Sequence, residues 1–307
     1  MFDKLRSDLG RRLHNRAING VLDTPPIRTT GDPIVFASMV CHRDVLMYLV
    51  AVKSIQQRVG KGRVAVIDDG SLTTADLDVL RRHLDDPQIV HINDVPVGRT
   101  PRGGTWERLL TCLDLSRDSY VVQVDADLVA ASSLDEVAEA IDANAAFTIT
   151  SRQGPAVVSF TDAATFADSI DGDHIQLLAE RAFRHHPAAA DMRYIRGCSG
   201  FTGFPRGGLT RDFVERLSET MAGLIGPRWA EWGTEQVASN VVFANGHDPR
   251  PLPLSRYKNF FPPMDLDGAA LVHFLGSHRF HGGHYRRLST AAIAALRDPR
   301  PARRSVA

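Results

Sequence analysis

The chain has 307 residues, 36 Lys and Arg against 36 Asp and Glu, with 43% of residues hydrophobic and 23% charged. That is the composition of a soluble globular protein with a sizeable core, about one to two domains by length. Zero net charge argues against a dedicated nucleic-acid binder and against an acidic disordered chain, and leaves enzyme classes open. The three cysteines, Cys41, Cys112 and Cys198, lack metal-ligand spacing, which points to free thiols in a reducing, cytoplasmic compartment.

Residues 1–30 read as an N-terminal extension. Phe2, Leu5, Leu9 and Leu13 recur at helical spacing with Lys4, Arg6, Arg11, Arg12 and Arg16 between them, an amphipathic basic helix. Such a helix packs on its own domain or a partner, or lies on an anionic membrane face, so peripheral contact at the inner face through residues 1–20 is one expectation. No run approaches the roughly 18 apolar residues of a membrane span, and the N-terminus lacks a signal-peptide core. After a Pro-, Thr- and Gly-rich loop, Ile34–Val40 predicts a buried strand and Val45–Val59 a helix. Arg63–Ile67 predicts a second strand running into Asp68-Asp69-Gly70-Ser71. Thr74–Leu84 reads as a helix and Ile89–Ile92 as a strand. Thr105 stands where it would cap a helix containing Trp106, Leu109, Leu110 and Leu113. Tyr120–Val124 then reads as a strand entering Asp125-Ala126-Asp127. This alternation implies an α/β fold with a mostly parallel sheet, in which ligands gather at strand carboxyl ends. From about Asp142 the pattern loosens. Strands are expected at Ala146–Thr150, Phe201–Phe204 and Leu271–Phe274, and helices at Leu177–Phe183, Arg211–Leu224 and Thr234–Ala244.

Asp125 and Asp127 carry the chemistry. In extended backbone residues i and i+2 share a side, and two converging carboxylates repel unless a cation lies between them. A hard divalent ion, Mn²⁺ or Mg²⁺, suits oxygen ligands and would bridge phosphate oxygens. D-x-D alone is a weak motif, and a surface acidic pair is its ordinary explanation. Its place after YVVQV in an α/β pattern strengthens it. Asp68 and Asp69 serve either a nucleotide or simply a turn that caps the next helix. His273, His278, His281 and His284 do not follow a zinc pattern.

The stretch WERLLTCLDLSRDSYVVQVDADLVAASSLDEV resembles the central segment of GT-A glycosyltransferases, most closely glycosyltransferase family 8. Trp106, Arg108, Leu109, Asp125, Asp127, Leu128, Val129 and Leu134 fill the family's positions. Cys198-Ser199-Gly200-Phe201 is similar to its Asn/Ser-Gly turn, Thr234-Glu235-Gln236 with Asn240 to its Asp-Gln and downstream Asn, and His273-Phe274-Leu275-Gly276 to its His-Phe-x-Gly. The resemblance spans about residues 34 to 285. It implies one GT-A domain over 31–285, with a nucleotide-sugar half near 31–140, an acceptor half near 141–285 and a basic tail over 286–307.

The resemblance further implies transfer of a hexose-type sugar from a nucleotide diphosphate sugar, foremost a UDP-sugar, to a saccharide or glycolipid in bacterial surface-glycan synthesis. Mn²⁺ or Mg²⁺ would be held by Asp125, Asp127 and His273. The donor would meet Asp68, Asp69, Arg108, Ser199, Gly200, Gly276 and Arg279. Glu235 and Gln236 would be catalytic, with Glu231 a competitor for that role. The family's Asp and Tyr after the first strand are replaced by Cys41-His42-Arg43, and its Lys-Pro-Trp by Ser277-His278-Arg279-Phe280, where Arg279 stands in for a phosphate-binding Lys. Asp68-Asp69-Gly70-Ser71 instead resembles glycosyltransferase family 2, which inverts; retention is slightly favoured, with the outcome open. A sugar-phosphate nucleotidyltransferase would need a Gly-rich phosphate loop after the first strand, and a haloacid-dehalogenase-type phosphatase its D-x-D at that strand. A non-catalytic nucleotide- or sugar-binding homologue would be expected to have lost the carboxylates.

Overall fold

The computed structural model describes residues 2–298, with side chains from residue 8 onward; the Phe2 and Leu5 side chains and the residues of the tail beyond 298 lie outside it. In chain order the elements are α1 (Phe2–Ile18), β1 (Ile34–Val40), α2 (Val45–Val59), β2 (Arg63–Asp68), α3 (Thr74–Leu84), β3 (Gln88–His91), α4 (Trp106–Leu115), β4 (Tyr120–Val124), β5 (Leu128–Ala130), α5 (Asp135–Asp142) and β6 (Phe147–Thr150). They continue as β7 (Val158–Ser159), α6 (Phe160–Asp168), α7 (Ile175–Ala182), β8 (Arg193–Tyr194), β9 (Gly197–Phe204), α8 (Arg211–Ile225), α9 (Thr234–Asn245), β10 (Arg250–Leu252), β11 (Tyr257–Asn259), β12 (Leu271–His273) and α10 (His284–Arg297). The result is an α/β fold with a mostly parallel central sheet flanked by helices. Residues from Arg286, expected to start a basic tail, instead continue α10 to Arg297.

The described residues divide into two compact units, one formed by residues 2–89, 124–138 and 253–298, the other by 90–123 and 139–252. In the first, β1 pairs in parallel with β2, from Val35 opposite Arg63 to Val40 opposite Asp68. The strand β1 is buried along almost its whole length, which is why it reads as a continuous apolar run rather than an alternation. A second, three-stranded sheet has the order β11-β12-β5. Helix α2 ends at Gly60, whose left-handed backbone (φ 78°) lets its N–H reach the Gln56 carbonyl. Thr73 and Asp76 form a reciprocal capping box at the start of α3.

One cation lies inside this unit. Lys53 of α2 is 1% exposed. Its ammonium donates to Thr24 Oγ1 at 2.6 Å and lies 3.2 Å from His83 Nδ1, and burial lowers its pKa to about 8. Helix α1 packs on α10 and α2. His14 and Ile18 are buried at 1% and 2%, whereas Leu9 and Leu13 are 58% and 42% exposed.

The second unit carries strands in the order β10-β6-β9-β4. Strand β10 runs parallel to β6, and β9 antiparallel to it. Phe147 packs between Tyr120 and Phe201, at ring separations of 6.4 and 5.1 Å. The register of β9 slips: Ile149 pairs with Cys198 while its neighbour Thr148 pairs with Thr202. Ser199, Gly200 and Phe201 therefore stand out as a bulge within a continuous strand, where the sequence resemblance leads one to expect a turn.

Candidate functional site

In the first unit, Asp125 directly follows β4 and Asp127 directly precedes β5. Ala126 and Asp127 form a turn, where the i, i+2 spacing leads one to expect an extended edge. The two carboxylates thus flank a tight turn that joins the end of β4 to the start of β5. His273 arrives by strand pairing. It sits opposite Leu128 of β5 and opposite Asn259 of β11, and Phe274 N donates to the Asp127 carbonyl at 2.9 Å.

Asp125, Asp127 and His273 thus each offer a ligand atom within 4.8 Å of the others. His273 Nε2 is 2.9 Å from Asp127 Oδ1 and 3.7 Å from Asp125 Oδ2. Its Nδ1 lies 3.2 Å from Asn259 Oδ1, a second contact that fixes the ring. The other Asp127 oxygen accepts a hydrogen bond from Arg279 Nη2 at 2.7 Å. Burial alone would raise the Asp127 carboxyl; the charge and hydrogen bond of His273, with the Arg279 guanidinium, outweigh it and hold the group below the ordinary carboxylate range. The set is two carboxylates and an imidazole with no thiolate, which fits a hard or borderline divalent ion such as Mn²⁺ or Mg²⁺.

The other expected donor residues of this unit are placed as follows. Asp68 accepts from the N–H groups of Gly70 (2.8 Å) and Leu72 (3.3 Å). Asp69 accepts from Ser71 N (3.0 Å) and Ser71 Oγ (2.6 Å). Both acids thereby build the turn after β2. Gly276 is exposed with φ 61° at the start of a short 3₁₀ turn. His278 is 5.8 Å from the Phe261 ring and 5.9 Å from that of His281, and the His284 ring is 5.5 Å from Phe260.

The second unit brings together another set. Glu235, in the first turn of α9, is 2% exposed, and Arg108 of α4 is 6% exposed. Glu235 Oε2 accepts from Thr105 Oγ1 at 2.9 Å, from Ser199 Oγ at 3.2 Å and from Arg108 Nη2 at 3.2 Å. Arg108 Nη2 also meets Ser199 Oγ at 3.2 Å. The bulge in β9 presents Ser199 to this cluster while the Gln123 side chain holds the Ser199 carbonyl. Thr105 is not the side-chain cap expected of it. Its backbone is left-handed (φ 73°), an uncommon state for a β-branched residue, and its hydroxyl lies between the Gly104 carbonyl (2.5 Å) and Glu235 Oε2 (2.9 Å). Gln236, next to Glu235 in the chain, is half-buried, and Gly200, next to Ser199, is buried. Glu231 lies at the surface, bound to Arg228 at 2.5 Å.

Sequence reasoning missed Asn259 and Thr105. Asn259 is brought to His273 by strand register alone, and Thr105 looks like an ordinary cap.

No protein-family model and no curated protein matches the chain. Solved structures do. An apo structure of the bifunctional glycosyltransferase WbbM is 14% identical, with a TM-score of 0.47, over 82% of this chain and 47% of that one, so the chain spans about half of WbbM's length. A mannosyltransferase from Pyrobaculum calidifontis, PcManGT in complex with GDP-Man and Mn²⁺, is 15% identical over 92% of this chain and 72% of that one, with a TM-score of 0.38. An active-site mutant of LgtC is 11% identical over 85% of this chain and 95% of that one, with a TM-score of 0.50. Of these three LgtC carries the fold assignment: the chain has the GT-A arrangement of a mostly parallel central sheet flanked by helices.

Proposed function

We propose that the chain is a metal-dependent glycosyltransferase that moves a hexose-type sugar from a nucleotide diphosphate sugar, foremost a UDP-sugar, to a saccharide or glycolipid acceptor of a bacterial surface glycan. The observation that carries this reading is the Asp125, Asp127 and His273 cluster, with ligand atoms within 4.8 Å, set directly after β4 of a GT-A fold. These three residues would hold Mn²⁺ or Mg²⁺, which when bound offsets charge on a diphosphate leaving group.

The chain's own residues supply the remainder. Asn259 fixes the His273 ring by its Nδ1, leaving Nε2 toward the carboxylates. Arg279, once off Asp127, presents a guanidinium suited to phosphate oxygens. Asp68 and Asp69, with the exposed backbone of Gly276, are assigned to the nucleotide side. Glu235 and Gln236 are assigned to the reacting sugar, with Arg108, Ser199 and Gly200 beside them. Because Arg108, Thr105 and Ser199 all converge on Glu235 Oε2, that carboxylate suits electrostatic stabilisation better than proton abstraction, which favours retention over inversion.

A panel of nucleotide sugars tested for Mn²⁺-dependent donor hydrolysis, with wild type against Asp127→Asn, checks the reading. Hydrolysis of at least one donor, lost in the variant, is expected. No binding or turnover of any common donor would remove the transferase reading, and an equal rate in Asp127→Asn would remove the metal assignment. The anomeric configuration of the product then decides the stereochemistry.

A further inference from the structure

A cavity of about 470 Å³ opens between α1 and the chain entering α10, lined among others by Leu9, Leu13, His14, Phe280, Tyr285 and Arg286. Its volume is that of a small-molecule site. Four of these side chains are apolar or aromatic, and Leu9 and Leu13 leave much of their surface uncovered, at 58% and 42%. Gly10 lets α1 come this close: a Cβ there would stand 2.9 Å from the Phe280 carbonyl oxygen.

The polar groups at the cavity are all suited to an anion. Gly282 and Gly283, both with left-handed backbones (φ 64° and 69°), lead into α10, whose first turn has no side-chain cap and no acidic residue. Free N–H groups at a helix start bind phosphate, and here Arg286 and His281 line the same cavity. Arg11, Arg12, Arg16 and Arg287 are exposed on the two helices concerned. His14 is the independent sign of a ligand. It is 1% exposed, its ring stacks on Tyr285 at 3.9 Å, and neither ring nitrogen has a hydrogen-bond partner among the described residues. A buried polar group in that state costs free energy unless something else satisfies it. Burial, reinforced by Arg279 and Arg286, lowers its pKa to about 4, so the neutral ring has one N–H to give.

We propose that this cavity is a binding site for an anionic glycerophospholipid of a bilayer. One acyl chain lies against Leu9, Leu13 and Phe280, the phosphate sits at the start of α10 with Arg286 and His281, and a lipid oxygen accepts from His14. The site places α1 on the membrane surface with its exposed leucines inward and its arginines among the head groups. The inference uses neither the metal cluster nor a nucleotide sugar, so it stands or falls apart from the transferase reading.

Calorimetric titration with monomeric dioctanoyl phosphatidylglycerol, dioctanoyl phosphatidylcholine and inorganic phosphate tests it, with ¹³C-labelled histidine reporting on the His14 ring. Saturable binding of the glycerol lipid is expected, roughly tenfold tighter than the choline lipid, with the His14 signal shifting. Leu13→Asp should weaken it by about tenfold or more through lost apolar contact; Leu9→Asp, at a still more exposed position, is the second variant should the first melt at lower temperature. Arg286→Gln should bring the two lipids to equal affinity. Equal affinities in wild type, an unmoved His14 signal, indifference to both leucine variants, or inorganic phosphate binding as well as the lipid would each overturn the proposal.

Discussion

Removing Arg279 should tighten the binding of Mn²⁺ to the nucleotide-free protein. Both Asp127 oxygens are engaged within the chain, Oδ1 by His273 Nε2 at 2.9 Å and Oδ2 by Arg279 Nη2 at 2.7 Å. A cation taken up at Asp127 has to compete with that guanidinium and is repelled by it. A hydrogen bond to a charged group contributes about 1.5–3 kcal/mol, and with the Arg279 side chain 24% exposed the lower end applies. At about 1.4 kcal/mol per factor of ten, Arg279→Ala should lower the Mn²⁺ dissociation constant by about tenfold. The same variant should weaken binding of a nucleoside diphosphate in the presence of Mn²⁺, because the side chain that Asp127 releases is the one assigned to phosphate. Electron paramagnetic resonance of free Mn²⁺ during a titration measures the first effect and calorimetry the second. Unchanged or weaker Mn²⁺ affinity in Arg279→Ala would refute the idea that the arginine holds the cation's place.

Arg108→Ala should destabilise the protein by about 3–5 kcal/mol in denaturant melts, because it leaves Glu235 buried without its guanidinium partner; the double variant Arg108→Met/Glu235→Leu should cost less, and a loss under about 1 kcal/mol in the single variant would contradict this. Lys53 gives a basic-side signature. Its pKa falls from 10.5 unfolded to about 8 folded, so the unfolded chain binds more protons between those values and stability rises with pH across that window, by at most about 3 kcal/mol. Lys53→Met should raise the melting temperature at pH 7 and abolish the rise; a flat wild-type profile would argue against a strained lysine. His14 acts on the acid side. With its pKa lowered from 6.5 to about 4, stability is full above 6.5, drains as pH falls through this interval and levels off below it, a loss of up to about 3 kcal/mol that His14→Phe should suppress.

Periodicity places β1, α2, α3 and β4 on Ile34–Val40, Val45–Val59, Thr74–Leu84 and Tyr120–Val124, because each is a continuous apolar run or a clean helical stripe. Elements whose sequence signal is mixed escape it. The helix α10 buries Tyr285, Ser289, Ala292, Ile293 and Leu296 at helical spacing, but its arginines make the segment look like tail. In α1 the stripe is legible and its orientation is not: His14 is buried while Leu9 and Leu13 are partly exposed, which no hydrophobicity pattern predicts. Asp125 and Asp127 are legible as a motif; the turn at Ala126 and Asp127 is not. The resemblance puts Arg279 in the place of a phosphate-binding Lys, and in this structure its guanidinium pairs with the nearby Asp127 carboxylate. Contacts set by register, such as Asn259 with His273, leave no trace along the chain.

The interleaving of the two units bears on how the protein is made. Each unit is assembled from separated stretches of chain, and the first cannot be completed until residues beyond 253 exist. Asp127 and His273 are 146 positions apart, and α1 packs against α10 from near the opposite end of the described chain. During synthesis the acidic turn therefore emerges long before the histidine that partners it, with its β5 edge waiting for β12. Folding of this unit is dominated by distant contacts and should be slow and largely post-translational. A single cut in the 253–273 region should leave the acidic turn without His273 in either fragment alone, so the Asp125, Asp127 and His273 cluster should be recoverable only when the two fragments are mixed.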